Sequence, residues 1–178
     1  MRRSIHFVPG GNEKMFNKAL SLPADSLILD LEDSVTPQNK DSARIEVCEW
    51  LCNADFGGRE KLVRMNPIDS AWGRTDLEAI IACKPDGIVV PKVLDSKSVN
   101  AVSEVIKSKE AEAGLEQGGI SLLLIGTEEA GAVFNLPTMV SHHRVDGLTW
   151  GAEDLSVSLG ARAKRDQHGN YLEVFSFV

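Results

Sequence analysis

Short apolar, β-branched runs alternate along the chain with longer stretches in which apolar positions recur every three or four residues. The runs fall at residues 4–8, 26–31, 61–65, 87–90, 120–125 and 145–150, and the helical stretches at 13–22, 41–52, 75–83, 98–113 and 128–140. Alternation of this kind predicts parallel strands joined by right-handed crossovers. The segments SLILDL and DGIVVP are almost unbroken apolar runs, which predicts strands covered on both faces. Within 98–113, Val99, Val102, Val105 and Ile106 share a face expected to lie on the sheet. Lys107, Lys109, Glu110 and Glu112 fall on the opposite face, expected to be solvated, and Gly114, Gly118 and Gly119 punctuate the turn that follows.

A doubly wound sheet and an eight-stranded barrel both fit repeated βα units. The turn after the first run reads VPGGNEKM, without the GxGxxG of dinucleotide binders, and no GxxxxGK[ST] occurs anywhere. The six runs end in VPGG, LDLED, VRMNP, VPK, IGTEE and WGAED. Polar groups gathered at the carboxyl ends of strands are the mark of a barrel mouth. The expectation is therefore an α/β fold, a TIM-type (β/α)8 barrel that is C-terminally incomplete, with about six βα units in one domain spanning residues 1–178. Such a barrel leaves two unpaired strand edges, which favour self-association.

The strand ends also supply the candidate chemistry. Glu128 and Glu129 read equally as the first turn of a helix, opposing its dipole, and Asp154 as a helix N-cap. Asp30 interrupts an apolar run, and a carboxylate in a buried strand requires a partner or a metal. Arg64, between Val63 and Met65, poses the same problem with the opposite sign. Carboxylates at Asp30, Glu32 and Asp33, at Glu128 and Glu129 and at Asp154, with one strand-borne arginine, suit a hard divalent cation and an anionic substrate. Lys14 and Lys18, four apart on the first predicted helix, read either as a solvated face or as a grip on ligand phosphates.

With a formal net charge of −7 over 178 residues, the chain lacks the basic footprint of a nucleic-acid binder. No apolar run approaches the ~20 residues of a membrane span. The opening MRRSIHFVPGG is too short in its apolar part for a signal peptide, so a cytoplasmic location is expected. Cys48, Cys52 and Cys83 form no CxxC pair and have no nearby histidine to complete a zinc site; they are expected to be small buried hydrophobes. His142 and His143 are expected in a surface loop between a helix and the sixth strand.

The strings RRSIHFVPGGNEKMFNKA, ILDLEDSVTPQNKDSAR, VRMNPIDSAWGRTDL, DGIVVPKV, TEEAGAVFNLP and VDGLTWGAEDLSVSLGAR occur in that order along almost the whole chain. Together they resemble the citrate lyase β-subunit-like, CoA ester lyase branch of the HpcH/HpaI aldolase and citrate lyase superfamily. The resemblance implies a TIM-type barrel with Mg²⁺, cleaving or forming 3-hydroxyacyl-CoA thioesters of the citryl-, malyl- or citramalyl-CoA type to acetyl-CoA and an oxo acid. It places the magnesium ligands on Glu128 and Asp154, with Glu129 standing where the family has threonine. It puts the substrate-holding arginine on Arg64 and contacts to CoA on Phe7, Lys14 and Lys18. It further implies a homo-oligomer, trimeric or hexameric in relatives. Relatives continue through a seventh and an eighth βα unit, and some take a catalytic aspartate from the C-terminal segment of a neighbouring subunit. Two other readings stay open: a metal- and CoA-binding subunit without turnover, and a class II pyruvate aldolase acting on CoA-free hydroxy-oxo acids.

Overall fold

A computed structural model describes residues 2–176. Its strands are β1 (Ile5–Pro9), β2 (Ser26–Asp30), β3 (Glu60–Arg64), β4 (Gly87–Val90), β5 (Ser121–Ile125) and β6 (Val145–Thr149). The helices are α1 (Glu13–Ala19), α2 (Lys40–Asn53), α3 (Gly73–Ile80), α4 (Ser96–Glu112), α5 (Leu136–Met139), α6 (Ala152–Ser158) and α7 (Glu173–Ser176). The strands form one parallel sheet in the order β1-β2-β3-β4-β5-β6. Among the described residues β1 pairs only with β2 and β6 only with β5, so the sheet is an open six-stranded arc, as the six predicted βα units require.

Side chains alternate across the sheet and build two apolar layers. Leu27, Leu29, Val63, Ile88, Leu122 and Leu124 belong to the larger layer, shared with Val47, Leu77, Ile80, Val102 and Ile106 of the helices. Ile28, Leu62, Val89, Leu123 and Ile125 form a separate cluster on the inner face. Burial on both sides explains why these strands read as continuous apolar runs. Towards the open edges, Ile5, Phe7, Leu148 and Trp150 are exposed. Near the amino ends of the strands, Arg2 clasps Glu60 of β3 at 2.5 and 2.6 Å and Asp146 of β6 at 2.8 and 3.0 Å.

Four expectations are corrected. Residues 128–140 are not one helix: a 3₁₀ turn runs over Ala130–Asn135, and α5 starts afresh with Pro137 in its first turn, where the missing N–H costs nothing. Glu129 has extended backbone, so neither it nor Glu128 lies in a helical first turn. The cysteines are not buried, for Cys52 is exposed and Cys48 and Cys83 are half-buried. Glu110 is not solvated but fully buried. Its carboxylate takes Arg144 Nη1 and Nη2 at 2.9 and 2.7 Å and the backbone N–H groups of Gly118 and Ile120 at 3.0 and 3.2 Å. His142 and His143 lie in the loop before β6, as expected.

Burial alone would favour the neutral form of Glu110. The Arg144 guanidinium and the two N–H groups outweigh it and hold the carboxyl below its ordinary value of 4.5. A carboxyl with a depressed folded-state pKa adds stability above its unfolded value, and that stability is lost as pH falls through the folded one. Thermal unfolding followed by circular dichroism should therefore show a falling midpoint as pH drops below 4.5. Glu110→Gln should remove part of that dependence and cost about 3–5 kcal/mol at neutral pH, because Arg144 is left buried without its counter-charge.

Candidate active site

The carboxyl ends of β2 to β6 converge on one polar mouth, and the parallel register decides which groups meet. Asp30 and Arg64, the last residues of β2 and β3, are register partners. Arg64 Nε and Nη2 donate to the two Asp30 carboxylate oxygens at 2.7 and 2.8 Å, a bidentate pair. Asp30 also accepts the backbone N–H groups of Glu32 and Ser34 at 2.9 and 3.2 Å, so its carboxylate ties the turn after β2 to the strand end. The buried acid and the strand-borne arginine thus answer each other. Burial works against both charges, but the pairing wins, holding Asp30 below and Arg64 above their ordinary values. The Phe7 ring lies over the guanidinium, 5.1 Å from centroid to Cζ.

The turn after β2 carries Glu32 inward. Lys40, buried at the start of α2, holds that turn by donating from Nζ to the carbonyls of Leu31 and Glu32 at 2.8 and 2.7 Å. Asn66, beyond β3, bonds the Leu31 carbonyl at 3.0 Å and Asp76 at 2.7 Å. Asp76 in turn takes Arg44 Nε at 2.8 Å. These supports lie inside the quoted motif strings, but their long-range partners give no periodic signal.

Glu32, with 3% of its surface exposed, takes Lys92 Nζ on Oε1 at 2.6 Å, and its Oε2 lies 3.0 Å from Arg64 Nη1. Burial raises the Glu32 carboxyl pKa even against these two cations. Lys92 follows β4 with φ of 50°, a left-handed conformation uncommon for a residue with a side chain. That backbone lets the residue act twice, since its N–H also donates to Glu128 Oε2 at 2.5 Å.

Glu128, after β5, is equally buried. Burial pushes its carboxyl up to about 7, and the neighbouring acids Glu32 and Asp154 raise it further. Asp154 is not an N-cap; Gly151 holds that place and Asp154 lies in the first turn of α6. The two turns are stitched by Gly126 N to Thr149 O at 3.2 Å and Gly151 N to Thr127 Oγ1 at 3.1 Å. A Cβ at position 151 would stand 2.5 Å from Glu128 Cγ, so the glycine of GAED is what lets Glu128 fit beneath α6. Glu129 turns away and accepts from Ser158 Oγ at 3.2 Å.

Of the residues singled out in the sequence, the structure brings Phe7 to Arg64 and Glu128 to Asp154, and it joins the two pairs through Glu32 and Lys92. Lys14 and Lys18 are exposed on α1. Among the described residues neither side chain makes an ion pair with a residue of the mouth. Nor do any three His, Cys, Asp or Glu side chains there form a ready-made metal cluster. Magnesium needs less, since one or two carboxylates suffice when water and substrate oxygens complete the shell. A buried carboxyl whose ionisation is disfavoured beside other acids is a place where a divalent cation would supply positive charge, so the donor set fits. A large cleft lies at the opposite end of the strands, around the Arg2 clasp, where Glu60 and Asp146 are already paired with Arg2.

No helix among the described residues is long and apolar enough to cross a membrane. Residues 3–175 match the family described as HpcH/HpaI aldolase/citrate lyase. The chain is 34% identical over 165 residues to a (3S)-malyl-CoA thioesterase of Cereibacter sphaeroides, a match covering 93% of this chain and 54% of the relative. To the citrate lyase subunit beta of Escherichia coli K12 it is 35% identical over 171 residues, covering 96% of this chain and 56% of that one. The chain thus spans about half the length of these curated relatives. The CitE protein of Mycobacterium tuberculosis, solved with magnesium, acetoacetate and coenzyme A, superposes with a TM-score of 0.76 at 27% identity, covering 99% of this chain and 60% of that one. The same protein with magnesium and acetate gives 0.75 at 27%, covering 97% and 64%. The chain belongs to the HpcH/HpaI aldolase and citrate lyase family.

Proposed function

We propose that the chain is a magnesium-dependent carbon–carbon lyase acting on 3-hydroxyacyl-CoA thioesters of the citryl-, malyl- or citramalyl-CoA type. The observation that carries this reading is the packing of buried Glu128 against Gly151 at the start of α6, the helix whose first turn carries Asp154, with Lys92 and Glu32 joining Glu128 to Arg64. The relatives named for malyl-CoA and citrate lyase, and the CitE protein solved with magnesium and coenzyme A, support the choice of ligands. A cytoplasmic, self-associating protein is part of the same proposal, and the exposed apolar residues beside the free sheet edges support self-association.

In this scheme Glu128 and Asp154 would hold Mg²⁺. When bound, the ion supplies Lewis-acid stabilisation of negative charge that develops on substrate oxygens. Arg64 orients the acid end of the substrate. Its fork is fixed by Asp30, so little side-chain entropy is lost on binding. The Phe7 ring shields one face of the guanidinium from water and strengthens its interaction with an anion. Lys40, Asn66 and Asp76 hold the turns rigid, so the groups keep their spacing as charge moves. CoA contacts through Lys14 and Lys18 belong to the proposal and rest on their exposure on α1.

Malyl-CoA-type thioesters and free hydroxy-oxo acids should be offered side by side, with and without Mg²⁺. Cleavage of the thioester carbon chain to acetyl-CoA only with metal present is the expected result. Turnover of the free acids alone would replace this reading with a CoA-independent aldolase. Release of free CoA and malate without acetyl-CoA would make the chain a hydrolase, as the name of the C. sphaeroides relative suggests. Binding of Mg²⁺ and acetyl-CoA with no turnover would leave a ligand-binding subunit.

Two substitutions test the roles. Glu128→Ala should abolish Mg²⁺ binding in calorimetry while leaving the far-ultraviolet circular dichroism unchanged, and wild-type affinity in this variant would remove the metal assignment. Arg64→Lys keeps the charge but loses the fork, and should lower kcat/KM for the thioester by about 10²-fold, the scale of removing one preorganised transition-state donor.

A further inference from the structure

Glu32 has a feature that neither its turn nor its ion pairs explain. Its Oε1 is satisfied by Lys92 at 2.6 Å. Its Oε2 is buried and has no hydrogen-bond partner; Arg64 Nη1 is 3.0 Å away but misaligned for donation. Among the described residues it is the only buried side-chain oxygen left in this condition, the others being nitrogens of Arg44 and Arg144. A buried acceptor without a donor is costly unless something else supplies one.

Three arrangements keep that oxygen in place. Lys40 fixes the backbone carbonyl of Glu32 at 2.7 Å, Asp30 accepts its N–H at 2.9 Å, and Lys92 holds the other oxygen. Lys92 itself is set by its left-handed backbone and by its N–H to Glu128. The free oxygen is therefore rigid and lies on the polar path between Arg64 and Glu128.

We infer that Glu32 is a specificity-determining residue, whose Oε2 accepts a hydrogen bond from the hydroxyl of a 2-hydroxy-acid moiety held in the mouth. The inference rests on the reading of the mouth as a site for hydroxyacyl thioesters and goes further by assigning one donor to one acceptor. A carboxylate end of the ligand would take Arg64, while its hydroxyl would reach Glu32. A ligand with the same carbon skeleton but no hydroxyl would leave Oε2 unsatisfied. Sites with a buried polar group reserved for a substrate O–H reject such analogues strongly.

The test compares (S)-malate with succinate, which lacks only the hydroxyl, by calorimetry on the Mg²⁺-supplemented full chain. Neither acid is a thioester, so turnover does not intervene. Wild type should bind malate roughly 10- to 100-fold more tightly than succinate, as expected for one buried acceptor left without a donor. Glu32→Gln should bring the two affinities within about threefold while Mg²⁺ and acetyl-CoA still bind. Glu32→Asp, which withdraws the oxygen but keeps the charge facing Lys92 and Arg64, should show the same loss and covers the case in which the glutamine variant fails to fold. Discrimination that persists in the variants, or is absent from wild type, overturns the inference while leaving the thioester reading intact if Mg²⁺ and acetyl-CoA bind. Loss of Mg²⁺ binding in both variants, as in Glu128→Ala, would make Glu32 a metal ligand and overturns it as well. A wild-type chain that binds neither Mg²⁺ nor acetyl-CoA brings down the inference together with the reading beneath it.

Discussion

The bidentate contact between Asp30 and Arg64 is the interaction around which the mouth is organised. Parallel pairing makes the two residues neighbours at the ends of β2 and β3, and each neutralises a charge the other could not carry alone in a half-dry strand end. Asp30 does more than balance charge. By accepting two backbone N–H groups it closes the turn that follows β2, and the turn carries Glu32 inward. From Glu32 the polar contacts pass to Lys92 after β4, to Glu128 after β5 and to Asp154 at the start of α6. Successive strand ends are coupled in this way from β2 to the turn after β5.

Much of this was readable in advance, for identifiable reasons. The strands are buried on both faces and so appear as unbroken apolar runs, and their observed ends lie within one residue of the predicted ones. The polar residues at strand ends were legible because nothing else explains charge there. Asp30 and Arg64 were visible as two separate problems, but that each is the other's solution depends on register, which a single chain does not display. Glu110 was misplaced for a related reason. Its partner Arg144 lies 34 residues away, and although a helical wheel sets Glu110 on the stripe of Val99, Ser103 and Ile106, its charge alone suggested solvent. The break in the helix after β5 follows from Pro137, which starts a new first turn more easily than it continues an old one. The unsatisfied oxygen of Glu32 was invisible in the sequence, because it depends on the alignment of one N–H bond.

Family membership and open architecture belong together. The chain matches its family over nearly all of its length while covering 54–56% of the malyl-CoA thioesterase and citrate lyase relatives, and among the described residues its sheet has two free edges. Yet the polar mouth draws on β1 to β6 alone. The apolar side chains left uncovered, Ile5 and Phe7 on one edge and Leu148 and Trp150 on the other, flank that mouth without interrupting it. Phe7 alone belongs to both edge and mouth, since its ring also lies over Arg64; the other edge residues are separate from the polar groups of the mouth.

The Arg2 clasp has a mechanical meaning. It spans from β3 to β6, three places apart in the sheet, so it works as a cross-brace that sets how tightly the arc is bent. Its members retain 22–43% of their side-chain surface, which leaves the brace open to screening by dissolved ions. Bending stiffness at one end of the strands is thus an ionic property, whereas at the other end it comes from drier, charge-dense contacts. An affinity tag fused directly ahead of Arg2 would press on the softer of the two.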